Sequence, residues 1–231
     1  MEYFIFNGIS STNFGMYISK KKIYSFPARD MSFQAVPGRN GDVIIDNGRY
    51  ENIEISYTVG FKNLKENISE IKNWLCQSGY CRLTDTYQPD CFRYAAFSTK
   101  LDISETIKNV GEATITFNCK PYIYNFYGQE AQTFTGSFSI YNFFGVNAEP
   151  YIKITGTGTV HLNINERTYT IKDIDEYIEI DSELMNAFKE NTLCNKDIGF
   201  TEFPVLKPGE SYISFVGDVE KIEIIPRWRW L

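Results

Sequence analysis

Asn52-Ile-Glu-Ile-Ser-Tyr-Thr-Val-Gly-Phe61 decides the fold class. Ile53, Ile55, Tyr57, Val59 and Phe61 alternate with Asn52, Glu54, Ser56, Thr58 and Gly60. A period of two sends successive side chains to opposite faces, so the segment reads as a strand with one dry and one wet face. Ala113, Ile115, Phe117 and Cys119 repeat the pattern. One segment breaks it: Leu64, Ile68, Ile71 and Leu75 form a single helical stripe. Asn63 and Glu66 make its capping box, and Ser78-Gly79 ends it. This helix is expected to lie across the sheet of the first half, with Trp74 at the edge of the stripe. Tyr80 to Thr84 reads as the next strand, Asp85 to Asp90 as a turn and Phe92 to Phe97 as the return strand. Strands, one helix, then more strands is an α+β pattern.

A boundary falls between Pro121 and Pro150, in an aromatic-rich, extended connection. Residues 1–125 and 126–231 are therefore expected to be two domains of a mainly β protein. After Pro150 short alternating strands follow closely: Ile152 with Ile154, Val160 to Ile164, Ile178 with Ile180, Ile213 with Phe215, and Ile222 with Ile224. Turn residues between them predict a sandwich or jelly roll. Ser182 to Asn191 predicts a short helical turn with Leu184, Met185 and Phe188 inward.

With 231 residues, 43% hydrophobic and 16% aromatic, the chain can bury a real core. Its net charge of −6 argues against a phosphate-neutralising surface. Lys20-Lys-Lys22, the one basic run, reads as a solvated loop. A mildly acidic surface suits a conduit through which DNA slides without sticking. The start, Met1-Glu-Tyr-Phe-Ile-Phe6, reads as a strand and not a signal peptide. No apolar stretch approaches the roughly 18 residues of a membrane span, so a soluble protein made in a cytoplasm is expected, with no membrane partner.

Few residues suggest chemistry. Cys76, Cys81, Cys91, Cys119 and Cys194 lack C-x-x-C spacing and there is one histidine, so no metal site is read. The odd count predicts buried free thiols in a reducing compartment, with Cys76 and Cys81 as the one candidate disulfide. His161 sits between Val160 and Leu162, on the polar face of a strand, with no nucleophile motif to serve. Asp173, Asp175, Glu176, Glu179 and Asp181 offer carboxylates for a glycosidase, or simply charge on a wet strand face. Gly38, Gly41 and Gly48 lack the strand–helix context and the Gly-Lys-Ser/Thr of a phosphate loop. No catalytic residue, cofactor or metal is assigned, and the chain reads as a non-enzyme.

Two stretches look like docking features instead. Val36-Pro-Gly-Arg-Asn-Gly-Asp-Val43 is a glycine-rich turn between two apolar strands. Pro37-Gly38 makes one turn, Asn40-Gly41 is a type I′ pair, and Asn47-Gly48 makes the next turn. The result is a protruding arm with little apolar surface of its own, weak alone and steadied by a neighbouring subunit. An ordinary exposed hairpin is the alternative. Its candidate interface residues are Pro37, Gly38, Arg39, Asn40, Gly41, Asp42, Arg49 and Tyr50. The second stretch is the C-terminal Ile224-Ile-Pro-Arg-Trp-Arg-Trp-Leu231. Arg227, Trp228, Arg229 and Trp230 have three readings: a partner-docking strand, a seal on their own domain's core, or a platform for sugar rings.

The order of these features resembles a known family. Phe14-Gly-Met16 is followed by Val36-Pro-Gly-Arg-Asn-Gly-Asp42, Asn47-Gly-Arg-Tyr50 and the strand from Ile53. Then come the helix with Trp74-Leu75, Tyr80 to Thr84, Tyr94-Ala95, Phe203-Pro-Val-Leu-Lys-Pro-Gly209 and the Trp-Arg-Trp tail. Over nearly its whole length the chain is similar to the distal tail proteins of long-tailed, non-contractile phages and prophages of Gram-positive bacteria. The resemblance implies an N-terminal β-sandwich-like domain with one helix packed on the sheet, and a C-terminal galectin-like sandwich. It implies a hexameric ring joining the tail tube to the tip or fibre protein, with DNA passing through the lumen without specific binding. The arm would reach the next subunit, and the outer domain carries receptor-binding proteins in some members. The place implied is the virion tail, assembled in the host cytoplasm. The chain is short for the family and shows no inserted module. A carbohydrate-binding module for host cell-wall saccharide is the alternative function.

Overall fold

The computed structural model describes residues 1–21, 26–62, 64–97, 103–107 and 110–231. Lys22 and Asn63 lie outside them, as do the side chains of Phe61, Leu64 and Glu66, so the capping box and part of the basic run fall outside the described residues. The chain divides into two compact units, Met1–Ile123 with Leu231, and Tyr124–Trp230.

In the N-terminal unit the elements are β1 (Phe4–Phe6), β2 (Ile9–Ser10), β3 (Met16–Lys21), β4 (Arg29–Gln34), β5 (Val43–Tyr50), β6 (Ile53–Lys62), α1 (Leu64–Leu75), β7 (Cys81–Asp85), β8 (Cys91–Phe97), β9 (Ile103–Ile107) and β10 (Val110–Cys119). The sheet runs β2-β1-β7-β8-β10-β6-β3, with β9 paired to β10. β6 and β10 are antiparallel from Ile53↔Cys119 to Lys62↔Val110. Their alternation holds in space: Ile53, Tyr57, Val59, Ala113, Ile115 and Phe117 are buried. The aromatic core stacks Phe4 on Tyr57, with ring centroids 4.9 Å apart, and sets Phe6 against Phe117 at 4.9 Å. The helix differs in detail from the stripe. Trp74 is buried at its centre, donates its indole N–H to the Phe6 carbonyl at 2.9 Å and stacks on Phe14, whereas Ile68 is 40% exposed. The indole is placed by a partner 68 residues away, which periodicity cannot see.

The boundary falls within β11 (Ile123–Asn125), and the C-terminal unit holds β12 (Gln132–Phe134), β13 (Phe138–Asn142), β14 (Tyr151–Ile164), β15 (Arg167–Ile174), β16 (Tyr177–Asp181), β17 (Asn186–Lys189), β18 (Thr192–Leu193), β19 (Gly209–Ile225) and β20 (Arg229–Trp230). β14 and β19 are long antiparallel partners that pass through both halves of a curled sheet, β12-β19-β14-β16-β17-β18 on one side and β13-β19-β14-β15 on the other. They bend together where their register shifts, at Thr155/Gly156 and Thr157/His161. At that corner a Cβ on Gly156 would sit 2.2 Å from the Asp218 carbonyl oxygen, and one on Gly217 2.6 Å from that of Thr159. Bulges of this kind fold one sheet over onto itself. Both halves turn Ile152, Ile154, Val160, Leu162, Ile171, Ile180, Ile213 and Ile224 into one core. The protein is thus mainly β, as its alternation predicts.

The turn expected at Ser182–Asn191 is different. Asp181 accepts from the Leu184 amide and Met185 adopts φ +52°, so the chain reverses tightly into β17 instead of forming a helix. Leu184 and Met185 point outward at 63% and 65% exposure. The five cysteines are free, with no Cys76–Cys81 disulfide; Cys119 is buried, Cys81, Cys91 and Cys194 are half-buried and Cys76 is exposed, so the expectation of five buried thiols holds for Cys119 alone.

Candidate docking surfaces

β4 and β5 form a two-stranded ribbon that pairs with no other described strand. Residues 35–42 close it as an exposed loop, with Pro37, Gly38, Arg39, Asn40, Gly41 and Asp42 all at the tip. Gly38 and Gly41 hold φ of +81° and +83°, which the turn requires and which a side chain would strain. Asn47-Gly48 makes no second turn. It is an insertion within β5, where Arg29 pairs with Tyr50 and Met31 already with Asp46. Such a bulge twists a ribbon and re-aims its side chains.

The base of the ribbon is tied by charge. Arg29 Nε meets Asp46 Oδ2 at 2.7 Å and Arg49 Nε meets Asp30 Oδ2 at 2.6 Å. Asn47 donates to Asp30 at 2.9 Å, and the Gly48 amide donates to Asp46 at 2.8 Å. Tyr50 accepts from Arg29 and packs edge-on against Tyr122. Arg49 and Tyr50 therefore brace the ribbon from within, while the tip residues stand free of its base.

The ribbon is not poor in apolar surface, as its sequence first suggests. Phe33 faces Ile44 directly across the ladder, with Met31 two residues along on the same face. Phe33 is 62% and Ile44 59% exposed, and Ile45 and Val36 add to the apolar surface. An apolar ribbon in water is a mark of an interaction site. The two strands flanking the turn read as apolar in sequence; the alternation of Met31 and Phe33 with Ser32 and Gln34 places that apolar surface on one face of the arm itself.

The C-terminal tail is built inward. Trp228 is 8% exposed; its carbonyl accepts from the Asn125 amide, and its backbone lies so close to Gly128 that a Cβ there would come within 2.4 Å. Trp230 stacks on Phe144 at 4.8 Å. Arg227 grips both oxygens of Asp181 at 2.7 Å, and Arg229 both oxygens of Glu149 at 2.8 and 2.7 Å. These contacts match the reading in which the tail seals its own core. Trp228→Ala is expected to cost about 3–5 kcal/mol in a denaturant titration, with no loss of saccharide or partner binding beyond that of unfolding.

Burial raises the Asp181 carboxyl, but the Arg227 guanidinium and the Leu184 amide outweigh it and hold it below the ordinary carboxylate value. A depressed folded value stabilises above the unfolded value of about 3.9 and is lost as pH falls through the folded one. Melting temperature is expected to drop below about pH 4. Arg227→Ala leaves a buried charge unpaired and is expected to cost about 3 kcal/mol at neutral pH.

The other candidates are dispersed. His161 is exposed and bonds Thr170 through Nδ1 at 3.0 Å. The acidic cluster divides among separate cations: Asp175 and Glu176 with Lys189, Glu179 with Lys153, Asp181 with Arg227. Among the described residues no three His, Cys, Asp or Glu gather as a metal cluster, and no helix is long and apolar enough to cross a membrane.

Residues 1–121 match the sequence model of a family described as the phage tail protein N-terminal domain. No curated protein matches in sequence. One solved structure with this fold is that of Dit (gp 19.1) from phage SPP1, described as a paradigm of the hub adsorption apparatus in phages infecting Gram-positive bacteria. The two superpose with a TM-score of 0.77 at 12% identity, covering 100% of both chains.

Proposed function

The chain belongs to the phage tail protein family, and on that premise we propose that it is a distal tail hub whose copies close into a hexameric ring. The ring joins the tail tube protein above to the tip or fibre protein below and lets DNA pass through its lumen. Its place is the virion tail, assembled in the host cytoplasm, and it performs no catalysis. The observation that carries this reading is the β4–β5 ribbon. A two-stranded ribbon is marginal alone, yet this one keeps Phe33 and Ile44 in water on one face. A second copy of the chain is the occupant that gives every ribbon a partner, because a head-to-tail contact repeated by rotation closes a ring. Arg39 and Asp42, exposed at the tip, would set the register of that contact, and the −6 net charge suits a lumen that does not hold DNA.

Negative-stain images of the purified protein test this. Six-fold rings with an open centre are expected, and deletion of residues 36–42 should remove them while the far-ultraviolet circular dichroism stays unchanged. Rings that persist without the tip would remove the tip from the interface.

A further inference from the structure

Asparagine followed by glycine occurs three times in the chain, at Asn7-Gly8, Asn40-Gly41 and Asn47-Gly48. Asparagine is chemically labile in water, and most so before glycine. The glycine amide nitrogen, once it sheds its proton, attacks the asparagine side-chain carbon Cγ, and no Cβ on the glycine stands in the way. All six residues are exposed, so solvent access does not separate the three pairs. What separates them is the freedom of the two reacting groups. The peptide between the residues must rotate to carry the nitrogen onto Cγ. Any hydrogen bond or ladder that holds it opposes that step.

At Asn47-Gly48 both groups are held. The Asn47 carboxamide donates through Nδ2 to Asp30 Oδ1 at 2.9 Å, and the Gly48 amide, the nucleophile, donates to Asp46 Oδ1 at 2.8 Å. Hydrogen bonds to carboxylates are the strong ones, and an amide proton engaged in one is not readily shed. At Asn7-Gly8 the backbone is held. The pair is the two-residue turn of the β1–β2 hairpin, with φ of +51° and +78° and the Phe6↔Ile9 pair at its base. The Asn7 amide donates to the Arg82 carbonyl at 2.9 Å, and β1 pairs on its other side with β7. Rotating this peptide would open the β2-β1-β7 ladder. At Asn40-Gly41 neither restraint exists. The pair lies beyond the last rung of the β4–β5 ladder, Gln34↔Val43. Within the loop the Arg39 amide donates to the Val36 carbonyl at 3.1 Å. Among the described residues no hydrogen bond engages the Asn40 carboxamide or the Gly41 amide.

We propose that Asn40 is a self-modification site, converted by the Gly41 amide into an acidic residue while Asn7 and Asn47 persist. The Gly41 nitrogen bonds to Asn40 Cγ as the Cγ–Nδ2 bond breaks. Nδ2 leaves as ammonia, with the proton that the Gly41 nitrogen gave up. Water then opens the five-membered imide at one of its two carbonyls and leaves aspartate or isoaspartate at position 40. One water is consumed, one ammonia is released, and no electrons change hands. The product adds a negative charge between Arg39 and Asp42, and isoaspartate also lengthens the backbone by one methylene. On the ring reading those neighbours set the register between copies, so the tip would record how long a chain has stood unjoined. The modification itself does not rest on that reading.

The test is incubation of the intact chain at mildly alkaline pH, diluted to a solution mass of one chain. Proteolysis and tandem mass spectrometry follow, with fragment ions that separate position 40 from position 47. Acid at position 40 is expected to accumulate more than about tenfold faster than at position 7 or 47, and faster as pH rises. In denaturant the three positions should convert at similar rates, because the restraints are gone. Asp30→Ala with Asp46→Ala frees the Asn47 pair and is expected to raise its rate towards that of Asn40. Gly41→Ala, whose Cβ would meet nothing within 4 Å, is expected to slow the reaction at the tip, and Asn40→Gln to abolish it. Equal rates at the three positions in the folded chain, or conversion of Asn7 or Asn47 ahead of Asn40, overturns the proposal.

Discussion

Phe33→Asp combined with Ile44→Asp is expected to turn assembled rings into single chains while both units stay folded. The two side chains face each other across the β4–β5 ladder at 62% and 59% exposure. In the free chain they contribute little, because they already stand in water. In an interface each contributes about 1.5–3 kcal/mol by leaving it. Two aspartates remove that gain and add the cost of drying a charge. The concentration needed for assembly should rise by more than about a hundredfold. The ribbon itself should persist, because Arg29–Asp46 and Arg49–Asp30 hold its base. Sedimentation velocity across a dilution series reads the shift. Unchanged assembly would show that the apolar face is not the contact, wherever else the ring is held.

Gly156→Val is expected to be the most damaging single change in the C-terminal unit. A Cβ at this position would lie 2.2 Å from the Asp218 carbonyl oxygen and 3.0 Å from the Val219 Cα. Both are backbone atoms of the facing strand, so no side chain can swing aside. β14 and β19 would have to separate at the corner where each passes between the two halves of the sheet. A cost of about 4 kcal/mol or more is expected, at the severe end for single substitutions. Tryptophan fluorescence in a denaturant titration follows it, since Trp228 and Trp230 belong to this unit and Trp74 to the other. A midpoint equal to that of the parent protein would mean that the corner is not as tight as its backbone distances require.

What the sequence made legible was what repeats locally. The alternation from Ile53 to Val59 and from Ala113 to Cys119 names two paired central strands, because the period of a strand is written in consecutive residues. The helix was legible as an element, but not its anchor: the Trp74 indole is fixed by Phe6, 68 residues away. The tail shows the same limit. Arg227 and Arg229 look like free cations in sequence, and only the fold brings Asp181 and Glu149 to them across 46 and 80 residues. The arm was legible through its glycines, since positive φ at Gly38 and Gly41 demands them. Its apolar face was not, because Phe33 and Ile44 belong to opposite strands and become one patch only when the ladder forms. Leu184 and Met185 erred the other way: apolar residues were read as inward, and a tight reversal at Asp181 turns them out. That His161 stands beside Thr170 and Val216, and Asn163 beside Thr168 and Ser214, required the register of β14 with β15 and β19.

The central claim is that this chain closes rings through its ribbon. The measurement that tests it most directly is the absolute solution mass by light scattering after size exclusion, with one chain weighing 26.7 kDa. A mass near six chains, falling to one on Phe33→Asp/Ile44→Asp, is the predicted result. A mass of one chain at every accessible concentration would contradict it.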